Sequence, residues 1–185
     1  MVSDPTVRLL LLTCLLPLAA AFSSAAETEN LAERNLRRIV ERQKDVLAEA
    51  AKEGESLDEA ALKRRLQEIA HDYEVLLRDN PRYAAAYAAY GYLLSKVDMR
   101  KEASAMLLKA NELDPDIALV KNQLGNLLAE DGKPVQAASY FLTAIKLEPK
   151  EPLYHYQLGT LLVEGREEFL KTGQWTRASL DAAVL

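Results

Sequence analysis

The feature that most constrains this chain is a 34-residue period through its second half. Gly91 recurs as Gly125, Leu94 as Leu128, Ala103 as Ala137, Ala110 as Ala144 and Pro115 as Pro149, each pair 34 residues apart. The strings Asn111 to Pro115 and Ile145 to Pro149 line up in the same register. A period of this length marks one supersecondary unit repeated along the chain. A single unit cannot bury its own apolar face, so neighbours must stack.

Each unit reads as two helices joined by a short turn. The first spans 82–95 and 99–113, the second 116–130 and 134–147. Asp131-Gly132-Lys133 is turn chemistry, and Pro134 suits a first helical position. Alanine and leucine dominate while valine, isoleucine and phenylalanine are scarce, which favours helix over sheet. The recurring glycines and alanines allow close helix approach, leucines with Tyr87 and Phe141 fill the gaps, and a proline past each second helix stops it. A third unit starts with Tyr154, Leu158-Gly159 and Leu162. Its expected alanine at 171 is instead Lys171, and Gly173 to Ala178 repeats the step from Gly132 to Ala137. A seven-residue insertion near 165–172 accounts for this, with Trp175, Ala178 and Ala182 opening the second helix. The sequence stops inside that helix at Val184-Leu185, and an uncapped solenoid end implies a partner, a second copy or further chain.

These residues resemble the tetratricopeptide repeat. Tyr87, Tyr90-Gly91, Leu94, Ala103, Leu107, Ala110 and Pro115 match a first repeat (82–115). Leu124-Gly125, Leu128, Ala137, Phe141, Ala144 and Pro149 match a second (116–149), and Gly159 begins an interrupted third (150–185). Lys121 stands where the family usually has a large aromatic. The resemblance implies an all-α fold, a right-handed superhelix or α-solenoid of antiparallel helix pairs. It also implies that first helices line a concave groove for a peptide or protein segment. By register the groove would take Ala85, Ala88, Tyr92 and Ser95, then Leu119, Asn122, Asn126 and Ala129, then Leu153, Tyr156, Thr160 and Val163. Tyr92, Asn122, Asn126, Tyr156 and Thr160 are the expected partner contacts, because amides both donate and accept and tyrosines add contact area at small entropic cost. Some family members clamp a terminal carboxylate with lysines, an arginine and asparagines. Only Asn126 fits that pattern, since Tyr92 replaces an asparagine and Ala88 and Leu153 replace lysines.

Residues 1–26 read as a targeting segment. Arg8 precedes an apolar run from Leu9 to Phe22, and Ser24, Ala25 and Ala26 supply a small-residue exit. Cleavage after Ala26 or after Ala21 satisfies the pattern. Leu11-Leu12-Thr13-Cys14 loosely resembles a bacterial lipoprotein processing site, and an uncleaved anchor is a third outcome. The apolar stretch is shorter than the roughly 20 residues of a spanning helix. Export to the periplasm or cell envelope is expected, with membrane attachment only if the leader is retained or lipidated. Between the leader and the repeats, residues 27–80 read as a long helical hairpin. Leu36, Ile39, Val40, Gln43, Val46, Leu47 and Ala50 form one stripe, Gly54 supplies a stop, and Ser56 with Glu59 forms a capping box for a helix from Leu57 to Leu77. An intermolecular coiled coil is the alternative, for which Gln43 and His71 make a poor seam.

Chemistry is scarce in this sequence. The single cysteine, Cys14, lies in the leader, and His71 and His155 stand far apart without metal-ligand spacing. Glu164, Glu167 and Glu168 with Arg166 read as a solvated loop. The net charge of -5 gives no positive field for nucleic acid, and Arg34, Arg37, Arg38 and Arg42 are interleaved with Glu33, Glu41 and Asp45. No catalytic, metal or cofactor site is expected. The function expected is a non-catalytic protein–protein interaction scaffold. The alternatives are a structural, self-associating module, with a homo-oligomer formed through the uncapped end, and the regulatory repeat part of a longer protein.

Overall fold

The structure, a computed structural model, describes residues 30–53, 58–173 and 176. The leader residues, Gly54, Ser56, Trp175, Ala178 and Ala182 lie outside the described residues, so the expectations placed on them do too. Among the described residues eight helices follow one another: α1 (Leu31–Glu53), α2 (Glu59–Asp79), α3 (Ala84–Lys96), α4 (Arg100–Leu113), α5 (Ala118–Glu130), α6 (Pro134–Leu147), α7 (Pro152–Glu164) and α8 (Arg166–Lys171). The fold is all-α. Consecutive helices pack as antiparallel pairs, α1 on α2, α3 on α4 and α5 on α6, and each pair stacks on the next. Among the described residues no helix is long and apolar enough to cross a membrane.

The 34-residue period has a steric cause. A Cβ on Gly91 would lie 2.7 Å from Leu107 Cγ, and one on Gly125 would lie 2.7 Å from Phe141 Cε1. Leu107 and Phe141 come from the second helix of the same unit, so each glycine is the slot into which that helix presses its large side chain. Ala103, Ala110, Ala137 and Ala144 are all fully buried, and Leu94 joins them. Leu128 and Tyr87 are half-buried, and Pro115 and Pro149 are exposed in the turns. The turns inside the first two units also repeat. Asp98 and Gly132 both have positive φ, 59° and 70°. Met99 N–H then donates to the Leu94 carbonyl and Lys133 N–H to that of Leu128, each at 2.9 Å, closing the exposed helix end.

The early hairpin is intramolecular. Ala32, Ile39 and Val46 of α1 are buried in one cluster with Ile69, Tyr73, Leu76 and Leu77 of α2. Gln43, which disfavoured a coiled-coil seam, accepts a 2.7 Å hydrogen bond from the buried Tyr73 hydroxyl. The Tyr73 ring stacks on Tyr90 of α3 with centroids 5.2 Å apart, tying the hairpin to the first repeat. Arg42 of the basic cluster is committed across the hairpin to Asp72 and, at 3.6 Å, to Glu68. The expected start of α2 is corrected: the helix begins at Glu59 with Asp58 as N-cap, whose carboxylate accepts from Ala61 N–H at 3.0 Å. Asp58 lies two residues nearer the apolar stripe than Ser56, so it meets the orphan N–H groups directly.

The stretch read as an inserted, solvated loop is also corrected. It forms α8, and Phe169 within it is fully buried in a cluster with Ala137, Ala138 and Phe141 of α6 and Leu161 and Leu162 of α7. Gly165 permits the close approach, since a Cβ there would lie 2.8 Å from Pro134 Cβ. Gly173, placed in register with Gly132 after the insertion, has the same left-handed φ, 69°. The alternation of one apolar ring among Glu167, Glu168 and Lys171 is the signal that marked a buried short helix.

Candidate functional site

The first helices of the three units, α3, α5 and α7, present equivalent positions 34 residues apart. Ala88, Asn122 and Tyr156 share one position; Tyr92, Asn126 and Thr160 share the next outward one. Lys96, Glu130 and Glu164 end the three helices. α3 lies directly beside α5, where Ser95 Oγ sits 3.3 Å from the Gln123 side-chain amide. α5 and α7 together enclose a cavity of about 170 Å³, so the three helices form a continuous face.

The expected partner contacts divide on this face. Tyr92, Asn126 and Thr160 are half-buried and present polar atoms or ring surface. Tyr156 is 71% exposed, with Leu153 at 48% and Val163 at 57% on the same helix. Asn122 does not belong with them. It is 0% exposed and neither amide atom has a hydrogen-bond partner. The physical reason is visible at its counterpart in the first unit. Ala88 is buried in a cluster with Val120 and Leu124 of α5, so this position is covered by the following unit. The same position is open at Tyr156 of α7. Asn122 and Asn126 therefore do not act as a pair on the groove, and only Asn126 reaches it.

Two edges of the face carry charge of opposite sign. The Lys96 ammonium lies 5.2 Å from the centroid of the Tyr92 ring, a cation–π contact at the α3 end. At the α5–α7 end the Glu130 and Glu164 carboxylates border the cavity. Arg100 of α4 reaches Glu130 at 3.3 Å and Asp131 at 2.8 Å.

Of the two histidines, His155 has a structural contact. His155 Nε2 lies 2.9 Å from the Pro149 carbonyl, fastening the turn between units. Tyr87, 68 residues earlier in the same register (34 per unit), makes the equivalent contact from its hydroxyl to the Pro81 carbonyl at 3.4 Å. Lys121, between them in register, instead donates to Asn111 Oδ1 at 2.6 Å, the local consequence of lacking the usual aromatic. His71 is exposed on α2. Among the described residues no cluster of three or more His, Cys, Asp or Glu side chains is placed to hold a metal. Two structural phenols are shifted: burial, then Glu74, pushes Tyr90 up to about 12, and burial, then Glu148, pushes Tyr154 up to about 12.

A second concavity was not anticipated from the sequence. An apolar hollow of about 360 Å³ lies between α2 and the α3–α4 turn, walled by Leu62, Leu66, Leu93, Leu94, Val97 and Met99. Met99, 44% exposed at the turn, is the residue that could have signalled it.

Neither a protein-family model nor a curated protein sequence matches the chain. Solved structures do share its architecture. A Thermobaculum terrenum O-GlcNAc transferase mutant, K341M, superposes with a TM-score of 0.55 at 19% identity, over 73% of this chain and 23% of that one. The Naa15/Naa10 complex bound to HypK-THB superposes with a TM-score of 0.53 at 18% identity, over 70% of this chain and 18% of that one. This chain thus spans under a quarter of the length of either protein. The likeness is one of fold: the chain shares a helical-repeat architecture with both.

Proposed function

We propose that this chain is a non-catalytic protein-interaction scaffold that holds a segment of another protein along the face of α3, α5 and α7. The observation that carries this is the recurrence, at one helical position in three successive units, of half-exposed contact side chains: Tyr92, Asn126 and Thr160. The opposite sides of the same helices are committed to the core through Gly91, Leu94, Gly125 and Leu124. A solenoid with one packed side and one open side of mixed aromatic and amide character suits an extended segment. Tyrosine supplies area and asparagine satisfies the peptide backbone. The leader, with its basic start and small-residue exit, supports a place in envelope or periplasmic assembly. Comparing partner capture by the chain with capture by a Y92A/N126A/Y156A variant of equal helicity tests the assignment. Loss of a partner in the variant is expected, and undiminished capture refutes the face.

A specific observation favours self-association as the second reading. Leu153, Tyr156 and Val163 expose apolar surface along one helix. Sedimentation equilibrium separates the two, because the scaffold reading expects the monomer mass to persist in the absence of partner.

A further inference from the structure

We propose that the apolar hollow between α2 and the α3–α4 turn is a second docking site, separate from the partner face, and that it takes a phenylalanine presented by a short helix of another protein. The 34-residue register extends back into α2: Ile69, Tyr73, Leu76 and Pro81 stand where Ala103, Leu107, Ala110 and Pro115 stand in the next unit. α2 is thus a second helix of the same kind. It begins at Glu59, seven residues ahead of Leu66, the position equivalent to the starts of α4 and α6. Those extra residues, about 10 Å of helix, bring Leu62 to the wall of the hollow.

The same corner, between a second helix and the first helix that follows it, occurs three times. Between α4 and α5 it is closed by charge: Arg100 reaches Glu130 at 3.3 Å and Asp131 at 2.8 Å, and Lys133 reaches Asp131 at 3.5 Å. Between α6 and α7 it is filled by a ring. Phe169 of α8 packs with Ala138, Leu161 and Leu162, and a Cβ on Gly165 would lie 3.2 Å from Phe169 Cε2. Between α2 and α3 the equivalents of that seat are Ala70, Leu93, Leu94 and Val97, and all four line the hollow. The charged residues of the middle corner are replaced as well: Leu66, Val97 and Met99 hold the positions of Arg100, Asp131 and Lys133. The first corner therefore has the walls of a phenylalanine seat, while Phe141 and Phe169, the phenylalanines among the described residues, are both buried in the third.

Size and rim define the guest. A cavity of roughly 150 Å³ takes a benzene ring. At about 360 Å³ the hollow has room for a ring and a second apolar side chain, the order found in Phe169-Leu170 of α8. Exposed Glu59 and Lys63 border it one helical turn apart. A helix with both signs beside its ring is matched to them in charge, as α8 is with Arg166 and Glu168. Met99, unbranched and 44% exposed, can adjust to the ring and contact it through sulfur. Affinity comes from burying the ring against Leu62, Leu66 and Val97.

The probe is a capped peptide of residues 164–173, held helical by a side-chain lactam between Glu167 and Lys171, added to the full chain with isotope-labelled methionine methyls and amides. The expected result is saturable movement of the Met99 methyl and of the Leu66 and Val97 amides, lost with the Phe169→Ala peptide. Val97→Asp with Met99→Lys copies the second unit's own turn and should abolish the response at unchanged helicity. The Y92A/N126A/Y156A variant should respond as the parent does, because the hollow lies off the partner face. A Met99 methyl that stays in place, or that moves equally with the Phe169→Ala peptide, overturns the proposal. Movement confined to Ala138 and Leu161, the seat of α8, overturns it too. So does a Met99 response to decanoate alone, which would assign the hollow to an acyl chain.

Discussion

Alanine substitution of the two register glycines that face a large side chain, Gly91 and Gly125, sets close packing against helix propensity at one position of the fold. In a helix interior, glycine to alanine gains about 1 kcal/mol when nothing opposes it. At Gly125 the new Cβ would lie 2.7, 2.8 and 3.1 Å from three atoms of the Phe141 ring, and that ring is 1% exposed. At Gly91 the clash is with the branch carbon of Leu107 at 2.7 Å and with its backbone N at 3.2 Å, so α4 itself must move. Overpacking of this kind costs about 1–3 kcal/mol. The net result expected is neutral to about 2 kcal/mol destabilising for Gly91→Ala and Gly125→Ala. Urea denaturation followed by circular dichroism at the helix band measures both. Phe141→Leu should recover part of the Gly125→Ala loss through non-additivity. A stabilising Gly125→Ala would refute the reasoning.

Two further outcomes follow from the core. Phe169→Ala should destabilise by about 3 kcal/mol, because the ring is fully buried between α6 and α7; a change below about 0.5 kcal/mol would return 166–171 to the status of a surface loop. Alkaline stability depends on buried phenols: Tyr73 is raised above its ordinary value of 10.0 by burial, and Tyr90 and Tyr154 are raised to about 12 by burial and by Glu74 and Glu148. A folded pKa above the unfolded one means that the contribution is complete below pH 10 and is lost as pH rises through about 12. Unfolding free energy should therefore decline from pH 10 upward, and Tyr90→Phe should flatten that decline; an unchanged slope would count against it.

Much of the architecture was legible because sterics forced it into the sequence. Gly91 and Gly125 recur where Leu107 and Phe141 press in, and the intervening helices begin within two residues of where their periodicity places them. What escaped was set by relations between units. Asn122 and Asn126 look alike from within α5, and only the covering of the Ala88 position by α5 shows why the first is buried. The start of α2 was ambiguous because Ser56 and Asp58 are both competent caps before the same apolar stripe. Gln43 looked like a fault in a seam until Tyr73, 30 residues on, donated to it. α8 was read as a loop because four charged residues outweighed Phe169 in a stretch too short to show a period.

The claim at the centre is that recognition occurs on the face of the first helices. Amide shift mapping of the isotopically labelled chain with a library-selected peptide tests it most directly. The expected result is perturbation confined to α3, α5 and α7, largest at Tyr92, Asn126, Tyr156 and Thr160. Perturbation centred instead on the outer sides of α4 and α6, or on the α2 hollow around Met99, would contradict it.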